Sequence, residues 1–193
     1  PSNMLKKELI KRGHTEDPAG GVNDILTNGD DGFDYKDKSA IFRISVNADG
    51  LDLTNATGKA LGKVTVTDTL PEGSSVTAVD TTPAEVADLT YTKTTSGITF
   101  TFENLNKPYV ILVKAKPNAE TLEKYFSKND SNTATNSVKM TADNWDTGIE
   151  AKRNVTVKSS LLSKTAALAE EGIVRWTVDY KPYELENKYT KIE

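Results

Sequence analysis

Three polar residues stand where the pattern around them calls for apolar ones. Lys7 falls between Leu5 and Leu9, Asp68 between Val66 and Leu70, and Asn136 between Ala134 and Val138. Side chains two residues apart on a strand share one face, so each polar group is directed into the same layer as its apolar neighbours. Burying a lone amine or a lone carboxylate costs several kcal/mol unless it is paired or neutralised. An amine, a carboxylate and a carboxamide gathered into one cluster would relieve all three faults at once. The plainest form of that cluster is a Lys7–Asp68 ion pair with Asn136 capping a backbone group. Lys6 competes for the role of the buried amine, and another carboxylate could take the place of Asp68. Alternation favours Lys7, because Lys6 shares its face with Glu8.

The elements that must carry these residues are strands. Period-two alternation runs through Leu5–Leu9, Ile41–Val46, Lys63–Leu70, Tyr109–Ala115, Thr133–Thr141 and Ile149–Val157. Leu89–Lys93 and Ile98–Phe102 flank a Thr-Ser-Gly turn and read as a hairpin, and Pro71-Glu72-Gly73 ends the strand that holds Asp68. Ala119–Phe126 is predicted as one short helix, with Asn118 as its N-cap. Seven or more short strands at this spacing predict an all-β fold, an immunoglobulin-like Greek-key β-sandwich with one short helix. Gly13–Asp37 is a polar insertion, long enough to serve a function or to be mobile.

Composition narrows the function classes. The 193 residues carry 24 Lys+Arg against 28 Asp+Glu, a net charge of −4, which argues against a nucleic-acid partner. Hydrophobic residues make up 36 %, yet a chain of this length still buries roughly 70 % of its unfolded surface. No apolar run reaches the roughly 20 residues that span a bilayer, so no membrane insertion is expected, and no signal peptide is visible. With no Cys and a single His14, disulfides, thiolate metal sites and His-based triads are excluded or improbable. No Gly-x-Ser-x-Gly elbow, phosphate-cradling glycine loop or convergent carboxylate pair is present. The expectation is a protein that is not an enzyme and needs no cofactor or metal.

A repeat lies toward the C-terminus. Ala40–Val46 matches Gly172–Val178 in pattern, and Leu53 and Asn55 fall on Leu185 and Asn187 at the same offset. Leu5-Lys6-Lys7 is similar to Leu162-Ser163-Lys164. This divides the chain into a module at 1–158 and the first strands of a second similar module at 159–193. Lys164 is then the counterpart of Lys7, but no counterpart of Asp68 or Asn136 follows it, so it is expected to lack the partners of such a cluster. The Val174/Trp176/Val178 face of the second copy is expected to pack on the first module or on a neighbouring chain.

Lys63–Gly73, with its Val-Thr-Asp-Thr-Leu-Pro-Glu-Gly run, resembles a signature of Gram-positive surface adhesin modules of the collagen-adhesin type. Ala134–Val138 is similar to their last-strand motif, and Leu5–Leu9 and Ile41–Val46 to their first strands. The resemblance implies an autocatalytic isopeptide bond between strands, with Lys7 as nucleophile, Asn136 as acceptor and Asp68 as catalytic acid. Burial disfavours the charged form of an amine and of a carboxylate alike, which is what such a reaction needs. It further implies a single-turnover maturation step and an extracellular, cell-wall-anchored surface module, used for attachment to host matrix such as collagen. The alternative is a purely structural stalk or pilin-like spacer with no ligand of its own, working alongside neighbouring modules of the same chain.

The remaining signals read more simply. Asn28–Asp34 lacks EF-hand spacing and is expected to be a solvated acidic loop. Trp145 sits in a turn and is expected to pack against its own hairpin, Trp176 to be a core residue of the second copy, and His14 to lie in a surface loop.

Overall fold

The computed structural model describes residues 3–13, 24–54, 60–84, 86–127 and 131–162. His14, Asn55, Lys164, Trp176 and all of the second copy beyond residue 162 lie outside them. The described chain forms ten strands and one helix: β1 (Leu5–Ile10), β2 (Ile25–Leu26), β3 (Ala40–Val46), β4 (Val64–Thr69), β5 (Ser74–Thr82), β6 (Leu89–Lys93), β7 (Gly97–Phe102), β8 (Tyr109–Pro117), α1 (Ala119–Ser127), β9 (Ser131–Ala142) and β10 (Trp145–Lys158). They make two antiparallel five-stranded sheets, in the orders β2-β1-β3-β8-β5 and β10-β9-β4-β7-β6. The chain is an all-β, immunoglobulin-like sandwich with one short helix.

Alternation explains which side chains fill the space between the sheets. Phe42, Ile44 and Val46 from β3, Val64 and Val66 from β4, and Ile111 and Val113 from β8 all face the core and are fully buried. Helix α1 starts as its sequence dictates, with the Asn118 side-chain oxygen accepting the Thr121 amide at 2.8 Å. Its Leu122 and Tyr125 pack against the core. Trp145, at the start of β10, is half-buried against the same core.

Two elements depart from the expectations above. Pro71–Gly73 does not simply end a strand but leads straight into nine residues of β5, an edge of the first sheet. The described part of the Gly13–Asp37 insertion is built into the sandwich, and only the start of the expected acidic loop, Asn28, Gly29 and Asp31, stays exposed, while Gly32–Asp34 is buried. Leu26 pairs with Leu9 at the first sheet's edge, while the Thr156 amide and hydroxyl donate to Asp30 at 2.9 and 2.7 Å. The Lys158 amide donates to the Tyr35 hydroxyl at 2.8 Å, and Arg153 donates to the Leu26 and Gly29 carbonyls. The segment therefore bridges β1 in one sheet to β10 in the other, with Phe33 and Tyr35 buried beneath it. Asp34 accepts the Lys36 and Asp37 amides, and Asp31 pairs with Arg12 at the surface.

Asp37 completes a second buried charge site. Its carboxylate lies 2.7 Å from Lys114 Nζ, a side chain with no exposed surface, and 3.0 Å from Lys116. Burial alone would push the Asp37 carboxyl up, but hydrogen bonds from Lys114 and Ser39 and the adjacent Lys114 charge outweigh it and hold the carboxyl below its ordinary 3.8. A carboxyl depressed in the folded state contributes stability above its unfolded value and loses it as pH falls through the folded one. Asp37→Ala is therefore expected to lower stability by about 3 kcal/mol near neutral pH. Urea unfolding of both proteins at falling pH should show the difference shrinking below about pH 4, and an unchanged difference would rule this account out.

Candidate functional site

The site is built where β1, from the first sheet, packs against β9 and β10 of the second. Register fixes each contribution. Lys7 lies opposite Ile44 of β3 and turns inward with Leu5 and Leu9, while Lys6 faces solvent 3.9 Å from Glu8. Asp68 lies between Ile98 of β7 and Val138 of β9, both buried. Asn136 shares the inward face of β9 with Val138, which makes it a diagonal cross-strand neighbour of Asp68. Such neighbours have Cα atoms about 7–8 Å apart, within reach of each other's side chains.

The side chains meet as an ion pair closed off from bulk solvent. Lys7 Nζ donates to Asp68 Oδ1 at 2.7 Å, and neither side chain has exposed surface. The Lys7 ammonium also sits 4.9 Å from the centre of the Phe42 ring. Burial pushes the Lys7 amine below its ordinary 10.5, and this outweighs the Asp68 charge and hydrogen bond, which act in the other direction.

The rest of the cluster is under-satisfied. Among the described residues Asp68 Oδ2 has no hydrogen-bond partner, and neither the oxygen nor the nitrogen of the fully buried Asn136 carboxamide has one. Asn136 is thus not capping a backbone group, as the plainest reading of the sequence has it. An unmade hydrogen bond at a buried polar group costs about 1–3 kcal/mol, and native interiors hold few such groups. Here three orphaned atoms belong to two neighbouring residues whose third partner is a desolvated amine.

The backbone around Asp68 is equally constrained. At Gly97, opposite Thr69, an added Cβ would overlap the Asp68 carbonyl oxygen. β7 can therefore approach β4 at this point only without a side chain there. Sequence reasoning reads Gly97 as a turn residue and misses this close approach. It also misses Lys114 and Asp37, because Lys114 lies within the apolar run of β8 and Asp37 within a polar loop.

Among the described residues no group of three or more His, Cys, Asp or Glu is placed to hold a metal ion, and no helix is long and apolar enough to cross a membrane.

No family model matches the chain, and no curated protein matches it either. Solved structures do resemble it. The N-terminal domain of the Streptococcus gordonii adhesin Sgo0707 matches at 13 % identity and a TM-score of 0.46, over 80 % of this chain and 32 % of that one. The serine-rich repeat adhesion glycoprotein Srr1 of Streptococcus agalactiae matches at 12 % identity and 0.44, over 79 % and 46 %. Domains D2 and D3 of the major pilin SpaD of Corynebacterium diphtheriae match at 12 % identity and 0.37, over 78 % and 49 %. The chain spans less than half the length of each of these three.

Proposed function

We propose that the chain is an extracellular surface-attachment module whose sandwich is locked by an isopeptide bond between Lys7 and Asn136. The observation that carries the bond is the buried Lys7–Asp68 pair beside a carboxamide with no hydrogen-bond partner among the described residues. Transfer of one proton along the 2.7 Å Lys7–Asp68 hydrogen bond converts the ion pair into a neutral amine and a neutral acid. Burial pushes the Lys7 amine below its ordinary value and so favours the neutral amine. The Asp68 hydroxyl then hydrogen-bonds Asn136 Oδ1 and polarises its carbon. Lys7 Nζ attacks Cγ of Asn136, the Cγ–Nδ2 bond breaks, and Asp68 relays the amine proton to the departing nitrogen. One amide forms and one ammonia leaves, with no oxidant, metal or cofactor required. Enclosure between strands supplies proximity and excludes water, so the step runs once per molecule.

The motif resemblance supports the attachment reading, since an internal crosslink between the first and the penultimate strand resists the peeling by which a pulled sandwich opens. The ligand is then a host matrix protein such as collagen, reached from a cell-wall-anchored parent chain. The repeat of Ala40–Val46 at Gly172–Val178 favours a second reading, a stalk or pilin-like spacer of tandem modules divided at about residue 158.

Intact mass tests the bond. Wild-type protein is expected to weigh roughly 17 Da less than its sequence, one ammonia, and Lys7→Ala to match its sequence mass. Wild type at full mass would eliminate the crosslink. Saturable binding to immobilised collagen or another matrix protein separates attachment module from spacer, which should bind none of them.

A further inference from the structure

The proposed bond has to join two different sheets. Lys7 stands on β1, one strand in from the edge of the first sheet, and Asn136 on β9, one strand in from the edge of the second. Backbone ladders fix register within each sheet, but between sheets the packing of apolar side chains is non-directional. An amine must come within about 3–3.5 Å of the carbon it attacks, and a misplacement of about 1 Å can slow the step about a hundredfold. Directional contacts that set one sheet against the other beside the cluster therefore bear on the reaction itself.

Arg153 makes such a contact. It is the Cα partner of Asn136 in the β9–β10 ladder and shares the inward face of β10 with the buried Val155 and Val157. Its Nη2 donates to the Leu26 carbonyl at 2.7 Å and to the Gly29 carbonyl at 2.9 Å. Leu26 lies in β2 of the first sheet and is the partner of Leu9, the next inward residue after Lys7 on β1. The path from acceptor to nucleophile thus runs from Asn136 across to Arg153, through one hydrogen bond to Leu26, and across to Leu9.

The segment that Arg153 grips is itself seated on β1. A Cβ at Gly32 would come within 2.8 Å of the Ile10 carbonyl oxygen and of the Leu9 side chain. Farther along β10, Thr156 holds Asp30 of the same segment. Phe33 borders the same small cavity as Phe42 and Ala134. Phe42 is the ring beside the Lys7 amine, and Ala134 is the inward neighbour of Asn136 on β9.

We propose that Arg153 is a positioning residue for the Lys7–Asn136 bond, its hydrogen bonds to the insertion holding β9 and β10 at the offset from β1 at which the Lys7 amine reaches the Asn136 carbon. The proposal rests on the crosslink reading above. Arg153 takes no part in the proton and ammonia transfers, which stay with Lys7, Asp68 and Asn136. Once the bond has formed it holds the same offset covalently, so Arg153 governs how fast the bond forms.

The full 193-residue chain is synthesised cell-free in a short pulse, and the fraction that has lost ammonia is followed by intact mass. Arg153→Met, which keeps an apolar stem and removes both hydrogen bonds, should slow the loss on the order of tenfold or more. Arg153→Lys, which keeps the charge without the planar guanidinium, should be slowed measurably but less than Arg153→Met. Val79→Ala truncates a buried core side chain in β5, at the far edge of the first sheet, and serves as the control for lost stability. It should react at the wild-type rate even where urea unfolding shows it to be as destabilised as Arg153→Met. An Arg153 variant that reacts at the wild-type rate, or Val79→Ala slowed as much as Arg153→Met, overturns the positioning role and leaves the crosslink standing. Wild type that keeps its full mass overturns the crosslink, and the role of Arg153 with it. If circular dichroism shows Arg153→Met unfolded, Arg153→Lys carries the same comparison.

Discussion

Asn136→Ala is expected to lower the thermal midpoint by roughly 10–20 °C while leaving the fold intact. The bond from Lys7 to Asn136 would close a loop on the order of 130 residues, and a covalent closure of that length restricts the unfolded chain by about 5 kcal/mol. For a protein of this size each kcal/mol moves the midpoint by roughly 2–4 °C. The substitution removes only the acceptor. Without its acceptor Lys7 stays paired with Asp68, so no buried charge is stranded in the variant. Calorimetry at matched pH on wild type and variant measures the effect, and intact mass on the same samples reports the crosslink. Equal midpoints in a wild type that has lost ammonia would show that the bond contributes nothing to stability. Limited proteolysis should follow the same order, because strand peeling from β1 is the opening such a bond would block.

Asp68→Ala is expected to be the more damaging change, about 3–5 kcal/mol beyond Asn136→Ala. It would prevent the proposed crosslink and leaves Lys7 buried with no carboxylate beside it. A buried lysine can escape by giving up its proton, at about 1.4 kcal/mol for each pH unit between the solution and its unfolded pKa. This makes the damage pH-dependent with a definite sign. The folded-state value of Lys7 is already below 10.5 with Asp68 present, and Asp68 is the partner that raises it. Between the depressed folded value and 10.5 the unfolded state binds the extra proton, so stability rises with pH through that window. Urea unfolding of Asp68→Ala at about pH 7 and about pH 10 should show recovery on the alkaline side. Adding Lys7→Met should remove that recovery. A flat profile in the single variant would mean that Lys7 reaches water when its partner is lost.

Both predictions depend on side chains whose inward direction is legible in the sequence, and the reason is geometric. A strand has a side-chain period of two, so Lys7, Asp68 and Asn136 are assigned to the interior by their neighbours alone. The same rule separates Lys7 from Lys6, which the structure places inward and outward respectively. The Asn118 cap and the hairpin joining β6 to β7 are readable for a similar reason, because each is encoded within a few consecutive residues. β5 escapes because its register shifts between Val76 and Ala78, and the bulge breaks the alternation that announces a strand. Ala78 and Val79 are both buried in consequence.

Local pattern determines which way each side chain points, but not what stands opposite it. That Lys7 meets Asp68 at 2.7 Å, and that the Asn136 amide finds no partner, depends on how two sheets pack across the core. Lys114 shows the difference most plainly. Alternation along β8 puts it on the outer face of the first sheet, where a lysine is ordinarily solvated. It is fully buried because Asp37 reaches it from the insertion, while Ile25 packs on the outer cluster of Ile10, Ile41, Ala78 and Leu112. Periodicity is a property of neighbours in the chain, whereas the covering of a face and the pairing of a charge depend on segments brought together from far along it. The first could be determined from the sequence alone, and the second only from the tertiary structure.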